Sequence, residues 1–259
     1  ASFQSDVAGQ ISALNDKAAP VAGDHVLLED SEDSDNKVVA TVGALLAQAD
    51  YTRVLAIRWY TSVGASTYTP TPGTRSALVI AQGGGGAGGG ANSGIGEAAF
   101  GSGGAGGTCA IRDYEIDDSV NGTVNVGDAS FDSTFTYDGS NTTGGGGSTG
   151  SSSASGTGTL LDPGVEASIG GSGDAFFLGG NGGGGMRFGG AAGEVISGAG
   201  GGSLFGPGAR GRTTNGPGAS PNANAYGAGG AGAVSIDGAG VENGGDGRQG
   251  AIIVIEFGA

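Results

Sequence analysis

The sequence predicts a mainly β and irregular fold in which a frame of strands holds a packed, glycine-rich interior. Three observations carry that expectation. Glycine supplies 62 of 259 residues, against a usual share of about 7%. It is gathered into runs at 83–90, 103–107, 144–147, 179–185, 198–202 and 227–230, broken only by Ala87, Ala105, Asn181, Ala199 and Ala228. Second, two β-branched stretches flank these runs: Ser76-Ala77-Leu78-Val79-Ile80-Ala81 before them and Ala251-Ile252-Ile253-Val254-Ile255-Glu256-Phe257 at the end. Both read as buried strands. Third, the C-terminal strand needs partners, and the candidates lie before the first run. The chain is therefore expected to go out through the glycine runs and return to close a sheet. Although such runs elsewhere make flexible linkers, here they read as structure.

A run without side chains cannot bury an apolar face. It can adopt polyproline II, a left-handed helix with three residues per turn and no internal hydrogen bonds. Neighbouring helices of glycine approach closely enough to hydrogen-bond to one another and to add Cα–H···O contacts. The run 83–90 would span roughly 25 Å at about 3.1 Å per residue. Collagen is excluded, because a strict Gly-X-Y period and abundant proline are both missing. At 6% aromatic residues, any ordinary core is small, so dense backbone pairing and oligomerisation must supply stability. A formal charge of -15 with only 10 Lys and Arg disfavours nucleic acid and anionic membranes as partners. Cys109 stands alone and reads as a small buried residue. No apolar run approaches the roughly 18 residues of a membrane span. The start lacks a signal-peptide pattern, and Ala1 fits removal of an initiator Met or a cut fragment equally well.

In chain order, residues 1–50 read as an N-terminal module for attachment and trimerisation. It has a weakly periodic segment at 7–14, a hairpin pairing 25–29 with 36–40 around an acidic turn at 30–35, and a short helix at 42–48. Its apolar faces are too small to be stable alone and want identical copies. Residues 51–82 supply strands leading into the tip: 52–60, the best strand candidate, then a turn at 61–64, an extended bend at 68–74 and the Leu78 strand. Residues 83–259 form the glycine-rich domain closed by strand 251–257. Within it, 109–114, 121–126 and 131–137 make a strand-like island, with Asn121-Gly122 and Asp138-Gly139 as turns. Between later runs come 174–178, 186–188 and the long loop 203–226 with Pro207, Pro217 and Pro221.

The order of strand, Thr-Pro-Gly-Thr bend, strand, interrupted glycine runs and terminal Asp246-Gly247-Arg248-Gln249-Gly250-Ala251-Ile252-Ile253 resembles the glycine-rich distal domain of bacteriophage tail fibres. It is similar in style to the adhesins of T-even-type phages. Gln10-Ile11-Ser12-Ala13-Leu14, Leu27-Leu28-Glu29-Asp30-Ser31 and Val38-Val39-Ala40-Thr41-Val42 resemble a short module common in phage fibre proteins. The resemblance implies an intertwined homotrimer in the virion tail fibre, without catalysis. Its N-terminal module would meet other tail or baseplate proteins, and its distal loops would meet host polysaccharide or outer-membrane protein. A glycine-bundle structural or ice-binding protein and a polysaccharide-degrading spike are the alternatives.

No catalytic, cofactor or metal site is expected. Gly94-Ile95-Gly96 matches only a fragment of a phosphate loop. His25 is far from Cys109 in sequence, which leaves no nucleophile pair. The carboxylates Asp113, Glu115, Asp117 and Asp118 read as a solvated strand edge rather than a glycosidase pair. The acidic turn at 30–35 lacks the glycine and distal Glu of an EF-hand loop. Candidate receptor contacts are Phe176, Phe177, Phe188, Phe205 and Tyr226, placed in loops because the glycine interior offers rings little room. Arg210, Arg212, Asn215, Asn222 and Asn224 would be their hydrogen-bonding companions. The loop 203–226 ranks first, since loops on a rigid scaffold carry recognition.

Overall fold

The computed structural model describes residues 25–30, 36–41, 53–167, 170–189, 194–214 and 220–258. The chain divides into two units, residues 1–52 with 259 and residues 53–258. In the first, β1 (His25–Asp30) pairs antiparallel with β2 (Asn36–Thr41), the hairpin that the two apolar stretches predict. The segment 7–14, the acidic turn beyond Asp30, the helix at 42–48 and Asn215 lie outside the described residues.

The second unit opens with β3 (Arg53–Tyr60), β4 (Gly64–Tyr68) and β5 (Thr74–Gln82). Then come the small β6 (Ala91–Ser93) and β7 (Ala98–Phe100), followed by β8 (Cys109–Glu115), β9 (Gly122–Val126), β10 (Ser133–Tyr137) and β11 (Ser140–Gly144). Short pieces follow: β12 (Leu160–Leu161), β13 (Gly171–Ser172), β14 (Ala175–Phe177), β15 (Met186–Arg187), β16 (Val195–Ile196) and β17 (Thr213–Thr214). The last are β18 (Val234–Ile236), β19 (Gly240–Glu242) and β20 (Ala251–Gly258). Among the described residues there is no helix.

The C-terminal strand finds its partners where the sequence places them. β20 lies between β3 and β5, with Ile253 opposite both Trp59 and Ile80. This gives a five-stranded antiparallel sheet in the order β14-β8-β5-β20-β3. A second five-stranded sheet, β13-β11-β10-β9-β4, packs on it. Period-two alternation sends Ala77, Val79, Tyr114, Ile252 and Val254 inward from the first sheet, to meet Tyr68, Val124, Phe135 and Tyr137 from the second. The rings meet edge to face, Tyr68 and Phe135 with centroids 5.3 Å apart. Asp138 (φ 44) and Gly139 (φ 74) form the tight turn joining β10 to β11. Asn121-Gly122 makes no such turn. Gly122 instead opens β9, and the bend before it is closed by Val120 N donating to Asp117 O at 2.9 Å.

Beyond this sandwich the glycine runs pack side by side. From Gly101 to Thr108, eight consecutive amides donate in strict rotation to three neighbouring segments. Gly101, Gly104 and Gly107 donate to Ala233, Gly230 and Gly227. Ser102, Ala105 and Thr108 donate to Ser151, Ser148 and Gly145, while Gly103 and Gly106 donate to Gly183 and Gly180. Carbonyls on the same run receive Gly83, Gly86 and Gly89 on one side and Gly198 and Gly201 on another. The central run is thus wrapped by five others. The side-chain-free surface makes this possible: a Cβ on Gly104 would stand 2.2 Å from Gly86 O. The Ser-rich stretch after Gly147 still takes part, through the carbonyls of Ser148 and Ser151.

Two expectations need correction. The interior does admit a ring: Phe100 is fully buried with Ala98, Val195, Val234 and Ile236, against Gly185, where a Cβ would meet the ring at 2.2 Å. The stretch 203–226 is not one loop either. Gly200 N donates to Ala209 O, Ala209 N to Gly229 O and Ala231 N to Pro221 O, so it adds another out-and-back pass to the bundle.

Candidate functional site

The bundle has two ends, fixed by the direction of its runs. At the near end it joins the sandwich, where run 83–90 leaves β5 and 101–108 enters β8. At the far end stand the turns between β6 and β7 and between β18 and β19. The chain comes into the unit at Arg53, opposite Gly258 and so at the tip of β20 remote from the bundle. The far end is therefore the part of this unit most distant from Arg53 along the strand and run directions.

Local chemistry holds the far-end turns tightly. Asp237 (φ 50) and Gly238 (φ 70) make a two-residue turn closed by Ala239 N donating to Ile236 O at 3.1 Å. The facing turn uses Gly96 (φ 71), whose amide donates to Asp237 Oδ1 at 3.0 Å, while Asp237 N donates to Glu97 O at 2.8 Å. Ser155 Oγ donates to Glu97 Oε2 and accepts from Gly94 N. On the Gly96 turn Ile95 is 91% exposed, and on the adjoining β19 Val241 is 73% exposed. Beside them the small sheet β12-β15-β16-β17 shows Leu161 and Phe188 to solvent. Its brace is Arg187, whose buried guanidinium donates to Ala98 O, Ala154 O and Gly158 O at 2.6–2.9 Å. Among the described residues the result is a rim of exposed apolar side chains.

The predicted contact residues do not converge on one surface. Phe188 and Arg212 belong to the far end, where Arg212 N donates to Ser197 Oγ. Arg210, Asn222 and Asn224 line a cleft of about 410 Å³ on the flank of the bundle, between 207–210 and 221–225. Asn222 is engaged there with Asp246, accepting its amide at 2.8 Å. Phe205 and Tyr226 lie at the near end, in edge-to-face contact with centroids 6.4 Å apart. Phe205 also meets Trp59 at 6.1 Å, and the Arg248 guanidinium stands 5.6 Å over Tyr226. Phe176 and Phe177 are not loop residues but form the edge strand β14, opposite Ala110 and Cys109.

Sequence reasoning missed Ile95, Val241, Trp59 and Arg248 as surface groups. The signal for Ile95 was present, as a large apolar residue isolated between Gly94 and Gly96 and flanked by short strands. Among the acidic group, Asp118 Oδ2 accepts from Gly73 N at 2.6 Å. The Ser119 hydroxyl and amide hold the Asp117 carboxyl below its usual range. Burial pushes the Cys109 thiol up to about 11, which keeps it protonated and inert. Among the described residues no three His, Cys, Asp or Glu side chains converge as a metal site.

No protein-family model matches the chain. No curated protein matches it either.

Proposed function

We propose that this chain is a phage tail-fibre adhesin, which attaches to the virion through residues 1–52 and to the host surface through the far end of the glycine bundle, without catalysis. The observation that carries the reading is the rim at that end: exposed apolar residues on and beside pinned turns, remote from the point where the chain comes into the unit. Such a surface meets a partner without first ordering its own loops, which lowers the entropic cost of binding. The partner is a host polysaccharide or an outer-membrane protein. The glycine runs are polyproline-II helices on this reading, because each meets the same neighbour at every third residue, the repeat of that helix. The chain works as a homotrimer in the virion.

The test is competition. Purified chain added to host cells is expected to block adsorption of the phage, and Ile95→Asp with Val241→Asp is expected to reduce that block at least tenfold with the fold intact by circular dichroism. Arg210→Ala with Asn224→Ala, on the flank, is expected to change it less than twofold. A chain that neither blocks adsorption nor is found in particles by immunolabelling overturns the assignment.

A further inference from the structure

The first sheet has two faces, and only one is spoken for. Val79, Val254 and their row-mates form the core. Strand register then assigns the opposite face to Trp59, Ile253, Ile80 and Ile111 in one cross-strand row, and to Ile57, Ile255 and Leu78 in the next. On this outer face Ile57 is 58% exposed and Trp59 55%, Leu78, Ile80, Ile111 and Ile255 are half-buried, and Ile253, between Trp59 and Ile80, is buried. Phe177, in register with Cys109, extends it along β14. Phe205 and Tyr226 extend it beyond Trp59. Charge enters these rows only at Asp113, opposite Leu78 on β8. An antiparallel sheet with one face on the core normally shows water a polar face. This one does not.

We infer that the outer face of β8-β5-β20-β3 is where a second copy of this chain docks. Four strands at about 4.8 Å and about eight residues at about 3.3 Å give a footprint of roughly 500 Å². Each pair of such faces that meets buries roughly 1,000 Å², at the floor of about 1,000 Å² for a specific interface. A patch of this size stands near the upper end of what a soluble monomer exposes, where such patches often serve as contact sites. Electrostatics favours the same occupant. Two chains of formal charge -15 repel wherever carboxylates face each other, and these rows offer a nearly uncharged place to meet. Phe177, Phe205 and Tyr226 thereby become contacts between copies rather than contacts with the host. The inference shares the self-association half of the proposal above and is independent of its receptor half.

Trp59 is the one tryptophan in the chain, so its emission reports directly on this face. In the full chain, sedimentation is expected to give a multiple of 24.4 kDa, with Trp59 emission blue-shifted at high concentration and moving red as dilution releases monomer. Ile57→Lys with Leu78→Glu is expected to yield a folded monomer with red-shifted emission at all concentrations. As a check that does not load charge into the sheet, Ile57→Cys labelled with a thiol reagent is expected to react slowly in the oligomer and fast after dilution. Phe131→Cys, on an exposed loop, reacts fast in both, and the buried Cys109 gives a silent background. A wild-type monomer at tens of micromolar overturns the inference, as does an oligomer whose Trp59 emission and Ile57→Cys labelling ignore dissociation. Loss of host adsorption with self-association intact would leave this face standing and reject the receptor reading instead.

Discussion

Whether a position in a glycine run can carry a side chain depends on what its Cβ would meet. Ala105 is fully buried yet accommodated, while at its neighbour Gly104 a Cβ would stand 2.2 Å from Gly86 O, a backbone atom that cannot swing aside. Gly104→Ala is expected to cost about 3 kcal/mol or more in urea denaturation. Gly158→Ala, with nothing within 4 Å of the added carbon, is expected to stay within about 0.5 kcal/mol. The sandwich has its own critical residue. Glu256, fully buried, accepts from Arg58 Nε at 2.8 Å and from the amide and hydroxyl of Thr71. Burial acts to raise its pKa, but the bonds from Thr71 and Arg58 outweigh it and hold the carboxyl below the usual range. A folded pKa below the unfolded value of about 4.3 stabilises fully above that pH and is lost as pH falls through the folded value. Urea midpoints measured across the acid range are therefore expected to fall less steeply with pH for Glu256→Gln than for the wild type. The neighbouring phenol of Tyr68, pushed up by burial and by this carboxylate, stays protonated throughout.

At the scale of elements, what was legible in the sequence followed the distance over which a signal acts. β3, β5 and β20 were readable because β-branched residues mark them, and the two-residue turn at Asp138-Gly139 because its φ values demand those residues. β4 was missed: Gly64-Ala65-Ser66-Thr67-Tyr68 carries one large apolar side chain, and its strand state is set by pairing with β9 across the sheet. The pieces β12 and β15 to β17 were illegible for the same reason, since two residues hold no period. Asn121-Gly122 misled because a turn-forming dipeptide also serves to open a strand where a Cβ would crowd Tyr137 and Tyr68. The candidate residues were chosen by chemistry, which the sequence shows. Their dispersal over the far end, the flank and the sheet depends on run direction, which it does not.

At the scale of the molecule, one strand governs closure. β20 is the last element made and the partner of both β3 and β5, so the first sheet is incomplete until the whole of 83–250 has been threaded. Contacts of such sequence separation form late and slowly, and until they do, Ile57 and Trp59 on β3 have no partner strand to hold their register. The core of Tyr68, Phe135 and Val254 and the hydrogen-bonded runs are therefore expected to be parts of one cooperative structure rather than separable layers.

The threefold rotation of amides along 101–108 also sets a rule for how such a chain can lengthen. One extra glycine in a run turns every following amide by a third of a circle and aims it at the wrong neighbour. Three extra glycines restore the aim and extend the run by about 9 Å. A single Gly inserted after Gly104 is accordingly expected to lower the melting temperature more than three inserted there, whereas at the turn after Ile95, outside the runs, the cost is expected to be the same for one as for three. Length differences among chains of this design should come in multiples of nine nucleotides inside the runs and in any codon number at the far-end turns, so the genetic record itself would separate the part that packs from the part that is free to change.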